Sequence, residues 1–218
     1  KLGVDNGNYN TKSSEGMLYA SGYTASDKEF IVPEMQLYFE GRYYAIGERR
    51  LRFQQDKTKE QDAFILTLPA IADAMKKVGA ANAEIALGVG LPIDTYGTQK
   101  EVFRRYFLRD NISFRFEGNF YRCRISECKV FAQGHAALCR YYPQLKDYRS
   151  ITLVDIGGYT VDILTLHDFR LDRSSCASLR MGTITLYSRI QDTLQRSDIL
   201  LSDELITDAI RGEIQHTD

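Results

Sequence analysis

The chain has 218 residues, 44% hydrophobic and 26% charged, with a formal net charge of −1. This is an ordinary globular composition, long enough for one large domain or two small ones, and it provides no general basic field for nucleic acid. Its apolar runs fall far short of the ~20 residues needed to cross a bilayer, and the N-terminus lacks a charged-then-apolar leader pattern, so a cytoplasmic chain with no membrane partner is expected. Cys123, Cys128, Cys139 and Cys176 show no Cys-x-x-Cys spacing, and His135, His167 and His216 are scattered, which points to reduced thiols and no cysteine–histidine metal centre.

The first predicted elements are strands at residues 1–5 and 9–13, joined by Asn6-Gly7-Asn8, a hairpin signal. Further β-type runs cover 17–25 and 30–32, and residues 38–47 alternate around Glu40-Gly41 as a second hairpin. From Gln61 to Val78 the apolar residues Phe64, Ile65, Leu68, Ile71, Ala72, Met75 and Val78 recur at helical steps, with Gly79 as the stop. Residues 84–91 form a short buried strand ending at Leu91-Pro92, after which Asp94 or Thr95 caps a helix through Phe107. Residues 111–130 return to strand around Glu117-Gly118-Asn119, and Gln133 to Tyr142 is helical, with His135 packed at its start. Residues 151–166 form another hairpin, 170–179 a third strand, and 183–195 and 202–211 two closing helices. Antiparallel groups that hand over to helices indicate an α/β protein with mixed sheets.

The informative feature is a duplication. Leu2-Gly3-Val4-Asp5-Asn6-Gly7-Asn8 and Leu153-Val154-Asp155-Ile156-Gly157-Gly158-Tyr159-Thr160-Val161-Asp162 each end an apolar strand on a carboxylate, then turn on glycine. Glycine lets backbone N–H groups turn toward an anion, and two such turns could face each other across one triphosphate. Asp5 and Asp155 suit Mg²⁺, held through its waters, because that ion prefers one or two carboxylates plus phosphate oxygens. Asn6, Gly7, Asn8, Gly157, Gly158, Tyr159 and Thr160 would supply donors to phosphate, and Lys12 a compact positive charge.

These residues, with Val130-Phe131-Ala132-Gln133-Gly134-His135-Ala136-Ala137-Leu138 leading into a helix, resemble the actin-like ATPase superfamily. The segments 57–72 and Gly88-Val89-Gly90-Leu91-Pro92 resemble its plasmid-partitioning branch of the ParM/StbA type. The resemblance implies a duplicated actin-like (ribonuclease H-like) fold, with a first lobe at 1–149 and an incomplete second lobe at 150–218. It implies Mg²⁺ with ATP or GTP as cofactors. It also implies slow hydrolysis, self-assembly into filaments, and DNA segregation through a DNA-bound adaptor without direct contact with nucleic acid. Gln133 matches the family position that orients the attacking water, although it equally suits a helix N-cap. Asp162 resembles the position beside that water, and also a polar strand site. Gly182 resembles a turn that opens a helix toward the nucleotide, and Arg211, with Gly212, the flank of ribose and base. The alternatives are a sugar-type kinase of the same superfamily and a non-hydrolysing nucleotide-binding scaffold.

Overall fold

The computed structural model describes residues 1–31, 34–52, 54, 56–134, 138 and 140–213, with Arg173 as backbone only. The opening hairpin forms as β1 (Leu2–Asn6) and β2 (Asn10–Ser13), with Asp5 opposite Lys12. The β-run expected at 17–25 breaks into β3 (Leu18–Ala20) and β4 (Gly22–Ser26). The break falls at Ser21, whose backbone N–H donates to the Tyr9 carbonyl at 3.0 Å and whose hydroxyl lies 2.9 Å from that of Thr11. The strand expected at 30–32 is not formed: Phe30 donates its N–H to the Gln36 side chain, Ile31 is exposed, and Val32 lies outside the described residues.

β5 (Gln36–Phe39) and β6 (Arg42–Arg50) make the second hairpin, and α1 (Asp62–Lys77) follows. Next come β7 (Asn82–Leu91), α2 (Ile93–Phe107), β8 (Arg109–Phe116) and β9 (Asn119–Ala132). Pro92 occupies the N-cap position of α2, and neither Asp94 nor Thr95 caps it. These nine strands make one sheet, in the order β3-β2-β1-β7-β9-β8-β5-β6-β4. Its two end strands, β3 and β4, are separated in the chain by Ser21 alone, so the sheet curls until its ends meet. One face is covered by α1 and α2, where Phe64, Phe103, Phe107, Phe114 and Leu68 are fully buried. Removal of that apolar surface from water is the main stabilising term of the fold.

A bulge in β9 decides which way the end of that strand faces. Pairing with β7 runs Ile85 to Ile125 and then Ala86 to Glu127, so Ser126 is skipped. The inward set therefore changes from Tyr121, Cys123 and Ile125 to Cys128 and Val130. A one-residue shift exchanges the faces of a strand. Past the bulge the odd positions, Phe131 and then Gln133, face away from the core.

In the expected 133–142 helix, the Leu138 N–H bonds to the Gly134 carbonyl, a helical step; His135, Ala136, Ala137 and Cys139 lie outside the described residues. A short α3 (Tyr142–Leu145) leads to β10 (Ser150–Ile156) and β11 (Val161–His167). The single strand expected at 170–179 is interrupted. β12 (Arg170–Leu171) and β13 (Ala177–Leu179) flank a 3₁₀ turn where the Asp172 carboxylate accepts from both hydroxyls and one N–H of Ser174 and Ser175. Such local side-chain bonds compete with strand pairing. Both short strands pair with β11, making a separate four-stranded sheet. α4 (Thr183–Gln195) and α5 (Asp203–Arg211) complete the described chain, the latter capped by the Ser202 hydroxyl. Among the described residues no helix is long and apolar enough to cross a membrane.

Candidate functional site

In β1 the core takes Leu2, Val4 and Asn6, so Asp5 projects from the opposite face. The second hairpin repeats the arrangement with Asp155 opposite Asp162. From the first turn Asp5, Gly7, Asn8 and Lys12, and from the second Asp155, Gly157, Gly158, Tyr159, Thr160 and Asp162, line one cleft of about 330 Å³. Gln133 lies on its wall and Arg211 at its rim. The two turns come within contact distance: a Cβ on Gly158 would lie 2.6 Å from Cβ of Tyr9, which real side chains do not tolerate. Glycine at 158 is therefore a condition of the two turns closing on each other.

Electrostatics concentrate at the two aspartates. Burial raises the Asp155 carboxyl above its ordinary value, the neighbouring charges of Asp162 and Asp5 raise it further, and Lys12 opposes them. Asp162 accepts the Thr160 hydroxyl on Oδ2 at 3.0 Å, while its Oδ1 is buried with no hydrogen-bond partner among the described residues. Gln133 donates its side-chain N–H to Asp5 Oδ1 at 2.5 Å, and its backbone N–H to the Leu91 carbonyl at 2.8 Å. It fits only because position 90 is glycine, where a Cβ would stand 2.8 Å from its Cγ. A half-buried carboxyl raised by two neighbouring carboxylates, with one buried carboxylate oxygen unsatisfied beside it, is the environment that a divalent cation relieves.

Three expected donors are otherwise engaged. Asn6 is 3% exposed and reaches away from the cleft, its amide donating to the Ala63 carbonyl and the Thr67 hydroxyl at 3.2 Å each. It anchors α1 to β1. The Gly157 N–H closes its own turn on the Thr160 carbonyl at 2.8 Å. The helix end at Gly182 is likewise satisfied by protein: Gly182, Thr183 and Ile184 donate their N–H groups to the carbonyls of Tyr159, Gly157 and Gly158 at 3.1, 2.9 and 2.9 Å. Gly182 thus braces the second turn from outside the cleft, and a Cβ there would sit 2.4 Å from the Gly158 carbonyl oxygen.

Sequence reasoning missed Lys57, which lines the same cleft from the loop before α1, and Tyr9, whose ring lies 3.7 Å beneath the Arg50 guanidinium. It also missed Tyr187 and Thr207, whose hydroxyls meet at 2.9 Å on the far wall. No periodicity marks any of them. The bulge behind Gln133 did leave a trace, because the apolar alternation of β9 changes phase between Ile125 and Cys128.

Two carboxylate-ended hairpins on separate sheets, turned toward each other across one cleft, define a protein of the actin-fold class. Residues 3–135 match the family described as actin-like proteins, N-terminal domain, and the chain belongs to that family. Solved structures of bacterial and archaeal actin homologues share the fold. An archaeal actin homologue, Ta0583, in complex with ADP superposes with a TM-score of 0.76 at 19% identity, covering 96% of this chain and 70% of that one. The AlfA filament from a Bacillus subtilis plasmid gives 0.67 at 20% identity, covering 91% and 79%. A ParM filament from Clostridium botulinum gives 0.72 at 16%, covering 100% and 76%. No curated protein sequence matches the chain.

Proposed function

We propose that the cleft binds a Mg²⁺–nucleoside triphosphate, ATP or GTP, and that the protein hydrolyses it slowly while assembling into filaments. The observation that carries this reading is the meeting of the two turns, with Asp5, Lys12, Asp155 and Asp162 on a single cleft that also holds Gln133. The family membership and the ADP complex of the archaeal homologue support it. Among the described residues no three Asp, Glu, His or Cys side chains converge as a direct metal-ligand set. Asp5 and Asp155 would therefore hold Mg²⁺ largely through water, as that ion favours. The ion supplies charge neutralisation at the phosphates when bound.

The chain's own groups divide the remaining work. Gly7, Asn8, Gly158, Tyr159 and Thr160 cradle phosphate oxygens, and Lys12 balances their charge. Gln133 keeps Asp5 in place with its amide N–H, leaving its amide oxygen to orient a water. It cannot take that water's proton as a strong base, so turnover is slow. Asp162 accepts from the same water network through the oxygen that lacks a protein partner. Arg211, at the end of α5, flanks the ribose and base. By analogy with the AlfA and ParM filaments, the protein partners itself; in DNA segregation, a DNA-bound adaptor would carry the contact with nucleic acid, in the cytoplasm.

The test is phosphate release followed alongside light scattering and pelleting, with ATP, GTP and ADP compared. Nucleotide-dependent polymer with slow phosphate release is the expected result. Phosphate transfer to a small-molecule acceptor without polymer, or binding without turnover, would replace this reading with a kinase or an inert scaffold.

A further inference from the structure

Among the described residues, Lys57 is the one charged side chain of the cleft that the proposed chemistry leaves without a task. It is 8% exposed, in a loop, and its ammonium donates to the Asn6 carbonyl, where β1 passes into the first turn. An ammonium carries three donors. Among the described residues that carbonyl is its only hydrogen-bond acceptor, and no carboxylate reaches it within ion-pair distance. The Asp5 charge acts on it across a gap, against the cost of burial that draws its proton affinity down. Keeping a lysine this deep without a contacting carboxylate is costly unless an anion completes its shell.

The surroundings indicate where that anion would sit. Lys57 borders the cleft that holds Asp5, Lys12 and Asp155. It also borders a smaller hollow between the two turns, lined by Asn8, Pro92 and Thr160. Lys12 enters from β2 and Lys57 from the loop before α1, so the two ammonium groups approach the first turn from different elements.

We propose that Lys57 is a second phosphate-binding residue, which pins the first turn through the Asn6 carbonyl and presents its remaining donors to the terminal phosphate of a bound nucleoside triphosphate. The inference rests on reading the cleft as a nucleotide site, and the experiment separates the two. Lys57→Met keeps the length of the side chain and removes the charge. Binding of MgATP, MgADP and adenosine is measured by titration calorimetry on the parent and the variant. A charged hydrogen bond to the terminal phosphate predicts a loss of about 10- to 100-fold for MgATP, a smaller loss for MgADP and none for adenosine. Equal losses for all three ligands, or no loss for MgATP, would overturn the role of Lys57 while leaving the nucleotide site standing. A parent protein that binds no MgATP would overturn both. Should Lys57→Met fail to fold, Lys57→Arg keeps the charge but not its compact geometry. A changed ATP-to-ADP preference then supports the proposal, and an unchanged one overturns it.

Discussion

The two sheets carry the same carboxylate-ended hairpin and support it differently. In the nine-stranded sheet the turn rests on a continuous core: Leu2 and Val4 are buried beneath α1, and Asn6 is bonded into that helix. In the four-stranded sheet Leu164 and Leu166 are fully buried, yet Val154 and Ile156 on β10 are 53% and 65% exposed. The second turn is held instead by its neighbours, α4 bonded to three of its carbonyls and Tyr9 pressed against Gly158. One motif is thus secured by burial, the other by backbone bonds and by contact across the cleft. Regions with few buried contacts open first, so the second turn is the part of the site most dependent on what fills the cleft.

The two turns should be most alike at their aspartates. If the turns are functional equivalents despite their unequal support, Asp5→Ala and Asp155→Ala should each slow phosphate release by about 10²-fold or more. A large effect in one variant and none in the other, in the same phosphate-release assay, would end the equivalence. Next comes Gly182→Ala, whose methyl meets the Gly158 carbonyl. It should destabilise the protein by about 1–3 kcal/mol, with faster hydrogen exchange across residues 150–211 and unchanged exchange in β1, β7 and β9. Uniform acceleration throughout would mean that the two supports are not independent.

A smaller effect should be confined to the first sheet. Burial pushes the Cys123 and Cys128 thiols from 9.0 up to about 11. The unfolded chain ionises first, so their contribution is complete below pH 9 and is lost as pH rises through 11. Urea unfolding between pH 8 and 11 should show this decline, and Cys123→Ala/Cys128→Ala should reduce it between pH 8 and 10, below the range where the raised hydroxyls of Tyr19, Tyr23 and Tyr106 add their own. The smallest change is Gly97→Ala in α2, where a Cβ meets nothing within 4 Å. It should stabilise by about 0.5–1 kcal/mol in the same assay, in contrast to the glycine that braces the second turn.

Much of this was legible before the structure because its signals are local. Both hairpins, the apolar face of α1 and the Asp–Gly turns depend on residues within a few positions of one another. Asp5 and Asp155 could be paired because the same pattern occurs twice. The misreadings were non-local or side-chain-driven. The 17–25 run holds a Ser21-Gly22 pair, a turn signal that its β-type flanks outweighed, and the chain divides there, where the sheet's two ends meet. The Asp172 carboxylate interrupts 170–179 by binding its own neighbours. Asn6 looked like a turn residue, and only the position of α1 makes it an anchor. A buried loop lysine such as Lys57 leaves no periodic trace, because its environment is assembled from the Asn6 carbonyl, Pro92 and Thr160, far apart in sequence.

The bonds from Gly182, Thr183 and Ile184 to the second turn also have a mechanical meaning. They weld the turn to one end of a 13-residue helix, a rod ~20 Å long at 1.5 Å per residue. Turn and helix are thereby joined end to end, so a tilt of the turn would be carried along the rod. A tilt of about 5° at the turn would sweep Gln195 through ~2 Å, a displacement of the size that repacks helix interfaces. A small tilt at the cleft would thus be felt most at the exposed far end of the helix, 13 residues away.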